Sequence, residues 1–385
     1  MKETKRNRPL RVVAAPDSFK GCLTSEEAGE AVRRGVLARD PGAVVTVLPV
    51  GDGGEGTARA VMSAKNAGVR RITVPDTHGF PTDAEFGWIA GKAGPVAVFD
   101  MAAASGIRFA ESHGLDYGKS STAGVGRMIR EALALGAAEI IVGLGGSGTG
   151  DGGIGALTAL GARFYGNDGA LLSDPKTEDL GRAVSADLTP VRELLRGTKL
   201  TLLYDSDVPL NGERGAVRMY SRQKGAQEED IPRLAADMER YAGVCDRAAG
   251  NPLSRAAGAG AAGGLGYGLS LVGGILTPGA AYVLEIVGLE EAARDADLVV
   301  TGEGKTDVQT ATGKLPLAVA MAAKSVNPGV KTVCLCAVDE STRELYERGT
   351  DAVFALADRP MTAEESMRRA AELIEKAAYN MTGLL

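Results

Sequence analysis

Histidine is almost missing from this sequence: His78 and His113 are the only two, beside four cysteines, Cys22, Cys245, Cys334 and Cys336, none in a CxxC pair. That scarcity argues against a zinc site or a Cys–His nucleophile, both of which need such side chains clustered. Reduced, buried thiols are the expectation instead. Aromatics make up only 4% of the chain. Basic blocks are absent beyond the first eight residues, MKETKRNR, and the net charge is −6. A nucleic-acid surface, which needs concentrated Lys and Arg, is therefore not expected, and the basic run reads as a solvated tail. No apolar h-region follows the N-terminus, so the expectation is a cytoplasmic protein without a signal peptide. Charge is also missing from Ala256 to Leu284, but nine glycines and Pro278 make that stretch poor material for a membrane span. A buried glycine-rich loop and helix is the expectation, and no membrane partner.

What is abundant is glycine, 53 residues, about twice the usual share. Glycine costs about 1 kcal/mol per position inside regular structure, so it belongs in loops with a purpose. At the two ends of the chain, apolar strands alternate with helical segments. RVVAAP (11–16) precedes Thr24-x-x-Glu27, a capping-box signature, and Ala28, Val32 and Val36 then mark one helix face. VVTVLPV (44–50) is dense enough in β-branched residues to be read as buried on both sides. LVVTG (298–302), KTVCLCAV (331–338) and DAVFAL (351–356) are further strands, and such alternation implies a parallel sheet. The middle differs. RRITVP, AEFGWIA and PVAVFDMA lie between residues 70 and 102 with no helix between them, which predicts antiparallel hairpins. A helix near 122–136, the EIIVGLGG strand and the LTLLYDSD strand (200–207) follow. The expected fold class is α/β: a doubly wound parallel sheet built from 1–66 and 290–385, interrupted by an inserted mixed-sheet α/β domain over 67–289.

Five loops combine glycine with strand ends or helix starts: APDSFKGCLTSEE (15–27), GDGGEGT (51–57), GLGGSGTGDGG (143–153), GAGAAGGLG (258–266) and TGEGKTD (301–307). In parallel sheets ligands bind beyond the carboxyl ends of strands, where such loops gather. Any one loop could be a tight turn, and any one Asp a helix cap. Four of the five also carry Asp, Glu or Lys, and phosphoryl transfer explains the mixture: backbone N–H donors and a cation for phosphate, carboxylates for Mg²⁺. Candidate carboxylates are Asp17, Asp52, Glu55, Asp151, Asp205, Glu303 and Asp307, and candidate cations Lys20, Lys224, Lys305 and Lys314. A P-loop is not supported, since the glycine it needs before Gly304-Lys305-Thr306 is Val299, and no dinucleotide fingerprint fits.

The order of APDSFKG, DGGEGT, MAAASG (101–106), GGSGTGDGG, QKGA (223–226), GAGAAGGLG and TGEGKTD resembles the bacterial glycerate kinase family over essentially the whole chain. The resemblance implies a flavodoxin-like domain interrupted by a domain likened to the restriction-endonuclease fold. It implies ATP-dependent phosphorylation of D-glycerate, at the 2-hydroxyl or else the 3-hydroxyl, with Mg²⁺, in an interdomain cleft. Four departures from the family pattern stand out: Gly150 replaces an Asn, Val208 a polar Asn, Gly124-Val125-Gly126-Arg127 a Gly-Thr-Gly-Glu, and Ala337-Val338 a Gly-Ser.

The expected site follows. Asp17, Lys20, Asp205 and Asp307 are the catalytic candidates, with Asp205 or Asp307 holding Mg²⁺ and the proton-accepting carboxylate left open. Gly145, Gly146, Ser147, Asp151, Gly152, Gly153, Gly302 and Lys305 are assigned to ATP. Ser18, Asp52, Gly53, Gly54, Glu55 and Lys314 are assigned to glycerate or a similar small hydroxy acid, and the chain is compatible with a homodimer. Rival readings are a decayed, non-catalytic hydroxy-acid sensor, a kinase of a related acid, and a metal-dependent phosphatase using the same carboxylates.

Overall fold

A computed structural model describes residues 8–19, 21–306, 315–340 and 343–385. In chain order its strands are β1 (Arg11–Ala14), β2 (Val44–Val47), β3 (Gly68–Pro75), β4 (Pro81–Gly91), β5 (Gly94–Asp100), β6 (Glu139–Gly143), β7 (Arg163–Tyr165), β8 (Ser185–Asp187), β9 (Lys199–Tyr204), β10 (Ile275–Pro278), β11 (Leu298–Thr306), β12 (Lys331–Asp339) and β13 (Ala352–Ala355). The chain divides into two compact units. One comprises residues 1–52, 63–65 and 280–385, the other 53–62 and 66–279.

The first unit holds a five-stranded, wholly parallel sheet in the order β13-β12-β11-β1-β2. Counted along its own strands, that is the flavodoxin-like order 2-1-3-4-5. Its first helix, Ser25–Arg39, starts as the sequence predicts: Glu27 N–H donates to Thr24 Oγ1 at 3.2 Å, and Thr24 N–H donates back to Glu27 Oε2 at 2.8 Å. Ala28, Val32 and Val36 are fully buried and belong to a core that includes Leu373, Ile374 and Ala378 of the C-terminal helix Ala370–Thr382. Two expectations are corrected. Strand β2 is not buried on both sides; it is the sheet edge, and Val44 is 50% exposed. TGEGKTD is not a loop up to Thr306, because β11 runs on through it, with Glu303 opposite Cys336 and Lys305 opposite Val338 on β12.

The second unit carries a six-stranded mixed sheet, order β10-β9-β6-β5-β4-β3. Strands β3, β4 and β5 form the antiparallel hairpins read from the sequence, while β5, β6, β9 and β10 run parallel. Strands β7 and β8 form a separate antiparallel ribbon. The apolar stretch 256–284 becomes a glycine-rich turn, the short helix Leu265–Ser270, strand β10 and the helix Gly279–Val287. Among the described residues no helix is long and apolar enough to cross a membrane. The parallel strands of this unit all point their carboxyl ends the same way, which delivers the loops after β5, β6 and β9 to one edge.

Candidate active site

The loop after β6 answers where its backbone donors go. The N–H groups of Gly145, Gly148, Gly150, Gly152 and Gly153 are bonded inside the chain, to Gly53 O, Ser105 O, Ser120 Oγ, Gly263 O and Asp151 Oδ1. Among the described residues, those of Gly146 and Ser147 have no such partner, and these two residues form the partly exposed lip of an otherwise buried loop. Gly146 is left-handed, φ +71°. Behind the lip stands Lys224, 3% exposed, whose ammonium donates to Ser147 Oγ and to Thr149 O, each at 2.8 Å. Two adjacent N–H groups without a partner among the described residues, a hydroxyl and a buried cation make a donor set suited to an anion.

Asp151 lies beneath the lip, inside the loop. It is fully buried and accepts from Thr122 N–H (2.7 Å), Thr122 Oγ1 (2.8 Å), Gly153 N–H (3.0 Å) and Gly155 N–H (3.1 Å). Burial raises its carboxyl pKa against the pull of those donors. Burial also pushes the Lys224 ammonium down to about 8, with the Asp151 charge acting in the opposite sense.

Bare glycine in this loop has a nearer cause than the ligand the sequence suggests. A Cβ at Gly152 would lie 2.6 Å from Tyr241 Cε1, one at Gly150 2.1 Å from Tyr117 Cζ, and one at Gly145 2.2 Å from Gly54 Cα. The 258–268 segment interlocks with it: a Cβ on Gly263 would meet Thr149 O at 2.0 Å, one on Gly264 Gly152 Cα at 2.7 Å, and one on Gly268 Gly153 Cα at 3.0 Å. Two of the five glycine loops are thus glycine-rich because they pack on each other. Gly146 is less confined: its nearest neighbours, at 3.1 Å, are the side-chain atoms Ala102 Cβ and Glu55 Oε2.

The GDGGEGT loop completes this edge. Asp100, at the end of β5, accepts from Gly56 N–H and Ala58 N–H, each at 2.9 Å, and so fixes the start of the helix Thr57–Ala64. Gly53 and Gly54 are buried, while Glu55 is exposed beside Gly146. Asp205 is exposed immediately after β9. Two departures from the expected family pattern prove to be core positions: Val125 and Val208 are 0% and 4% exposed. The third, Gly150, leaves a space that the buried Tyr117 ring fills. Tyr117 hydroxyl pKa is raised, first by burial and then by the Asp151 charge.

In the first unit, Asp17 N–H donates to Gly302 O at 2.8 Å and Asp17 Oδ1 accepts from Ser18 N–H at 2.7 Å, both residues lying just beyond β1. Asp52 is partly buried and Glu303 is 8% exposed. Gly302 faces β12 so closely that a Cβ would sit 2.4 Å from Leu335 O. Lys305 pairs with Glu340 at 2.8 Å on the surface. Cys334 and Cys336 are buried with raised thiol pKa values, caused mainly by desolvation, so they are poor nucleophiles. All four cysteines are free. Lys20, Asp307 and Lys314 lie outside the described residues. No group of three or more His, Cys, Asp or Glu able to hold a metal occurs among the described residues.

Sequence reasoning named Lys224 only as an available cation and missed Tyr117, Asp100 and Thr122 altogether. The QKGA motif was the one signal that could have pointed to Lys224.

Residues 12–385 match the glycerate kinase family. The chain is 38% identical over 373 residues to a glycerate kinase of Bacillus subtilis, with 97% of each chain covered. It is 34% identical to the glycerate 2-kinase of Escherichia coli, with 98% of each covered. A crystal structure of a putative glycerate kinase 2 from Salmonella typhimurium LT2 superposes with a TM-score of 0.83 at 33% identity, covering 98% of both chains.

Proposed function

Because the chain belongs to the glycerate kinase family, we propose that it transfers the terminal phosphoryl group of ATP to glycerate, at the 2-hydroxyl. The regiochemistry rests on the relative named a glycerate 2-kinase, which matches over 98% of each chain. The observation that supports the reading is the lip at Gly146–Ser147, where two N–H groups without a partner among the described residues and a hydroxyl stand over the buried Lys224 ammonium. Gly146 and Ser147 receive phosphate oxygens there, while Gly145, whose N–H is bonded to Gly53 O, and Asp151, Gly152 and Gly153 hold the lip in place. Preorganised donors of this kind act on charge that develops on the transferring group.

Mg²⁺ fits the donor set. It takes hard oxygen ligands, typically one or two carboxylates with the remainder from phosphate and water, so a three-carboxylate cluster is not required. Asp205, at the carboxyl end of β9, is the described carboxylate we assign to it, with Asp307 as the second candidate; the ion would neutralise phosphate charge. Asp17 and Ser18, beyond β1, together with Asp52 and Glu55, remain the assignments for the hydroxy acid, and a loop carboxylate accepts its proton. The departures Val125 and Val208 point into the core, so neither removes a donor from the lip, which favours an active kinase over a decayed sensor.

The test is ADP release with glycerate, hydroxypyruvate and tartronate, with the product assigned by ³¹P NMR. Glycerate-dependent ADP release giving 2-phosphoglycerate is expected. Binding of both ligands without turnover would mean a sensor, and phosphate release from phosphoglycerate without ATP a phosphatase.

A further inference from the structure

Lys224 sits in the short turn Arg222–Lys224, far in sequence from the loop it supports. Its ammonium has hydrogen-bond partners but, among the described residues, no carboxylate at ion-pair distance; Asp151 acts on it only through space and is itself enclosed by its own four donors. A buried cation without a paired anion is costly, and the missing negative charge has an obvious place at the lip. The bond to Ser147 also has a fixed polarity. An ammonium has no lone pair, so Ser147 Oγ must accept, and its own proton is left to be donated elsewhere.

We infer that Lys224 is a positioning residue for the nucleotide: by donating to Ser147 Oγ and Thr149 O it commits the Ser147 hydroxyl to donate to a phosphate oxygen and holds the adjacent N–H groups at the accessible face. This rests on the kinase reading above. A neutral Lys224 amine could accept from Ser147 instead, which would withdraw the hydroxyl proton from the ligand. The ammonium is bonded to Ser147 Oγ and Thr149 O, and the charged group that acts on it is Asp151 from the same loop. With the ammonium pushed down to about 8, phosphate affinity in the free protein declines across that pH, whereas affinity for glycerate is indifferent to Lys224.

The experiment titrates the full chain calorimetrically with inorganic tripolyphosphate, ATP and glycerate between about pH 6.5 and 9.5, with melting temperatures recorded in parallel. Wild-type tripolyphosphate affinity should fall about 10- to 100-fold across an alkaline limb centred near pH 8, the range of a hydrogen bond to a charged group. Ser147→Ala should weaken tripolyphosphate about 10-fold or more at pH 7 with glycerate binding unchanged. Lys224→Arg, which stays charged throughout, should lose the limb. Ser147→Ala that binds tripolyphosphate like wild type, or an unaltered limb in Lys224→Arg, overturns the inference while ATP binding by the wild type keeps the kinase reading. A wild-type chain that binds neither ATP nor tripolyphosphate overturns both.

Discussion

Replacing Gly152 by alanine separates the two explanations of the glycine-rich loop. Gly152 has φ +62°, and an added Cβ would lie 2.6 Å from Tyr241 Cε1 and 3.2 Å from Met238 Sδ. The left-handed backbone costs an alanine about 1–2 kcal/mol, and forcing a methyl against a fixed ring about 1–3 kcal/mol more. The sum, about 2–5 kcal/mol, is a large fraction of the stability of an ordinary domain, and corresponds to a fall in melting temperature of roughly 4–20 °C for a unit of this size. Gly146→Ala pays the same backbone term, but its nearest neighbours stand at 3.1 Å and one is the mobile end of Glu55. It should lower melting by only about 2–8 °C while weakening ATP selectively. The assay is thermal unfolding by circular dichroism together with separate ATP and glycerate titrations of each variant. A Gly152→Ala protein that melts with wild type, or that loses ATP affinity alone, refutes the packing argument and returns Gly152 to direct phosphate contact.

Stability and affinity should respond to alkali in opposite directions. Lys224 has a lowered folded-state pKa, so between about 8 and its unfolded value near 10.4 the unfolded chain binds more protons; its contribution therefore makes stability rise with pH through that window, and Lys224→Met should flatten the rise in urea unfolding curves. Asp205→Asn should reduce kcat at least 100-fold without moving the melting temperature, as expected of a carboxylate serving charge at the transferring group; wild-type turnover removes Asp205 from the site. Thr24→Ala, which deletes both hydrogen bonds of the hydroxyl in the capping box, should cost about 0.5–2 kcal/mol in urea unfolding and leave both KM values alone.

Local signals were readable wherever they were self-contained. The Thr24–Glu27 box and the hairpins joined by DTHGFPTD and GKAG depend on residues close together in the chain, and each strand or helix in the alternation that yields a parallel sheet carries its own local pattern. Edge against centre is a property of the assembled sheet, so the β-branched VVTV could not announce that β2 lies at a margin. Glycine makes TGEGKTD read as a loop, whereas pairing of Gly302, Glu303, Lys305 and Thr306 with β12 keeps the strand extended through Thr306. Strand β10 was hidden in an apolar, glycine-rich stretch with no period of its own. Within the candidate site, the glycines and Asp151 were visible as residue types, but the division between a packed interior and a two-residue lip depends on Tyr117, Tyr241 and the 258–268 segment, all remote in sequence. Lys224 was obscured for the same reason: its partners are Ser147 and Thr149, and only folding brings them together.

The interlock between the 144–153 loop and the 258–268 segment ties the shape of the Gly146–Ser147 lip to the completeness of the fold. The bond from Gly152 N–H to Gly263 O spans 111 residues, and that from Lys224 to Ser147 spans 77. Contacts so distant along the chain carry a loop-closure cost that must be met before they stabilise anything, and they form late. A nascent or partly unfolded chain with β6 already paired would still lack the surface that shapes the lip. The lip therefore exists only in chains that have closed loops of 77 and 111 residues, and an incompletely folded copy lacks it even where the residues on either side of it are already in place.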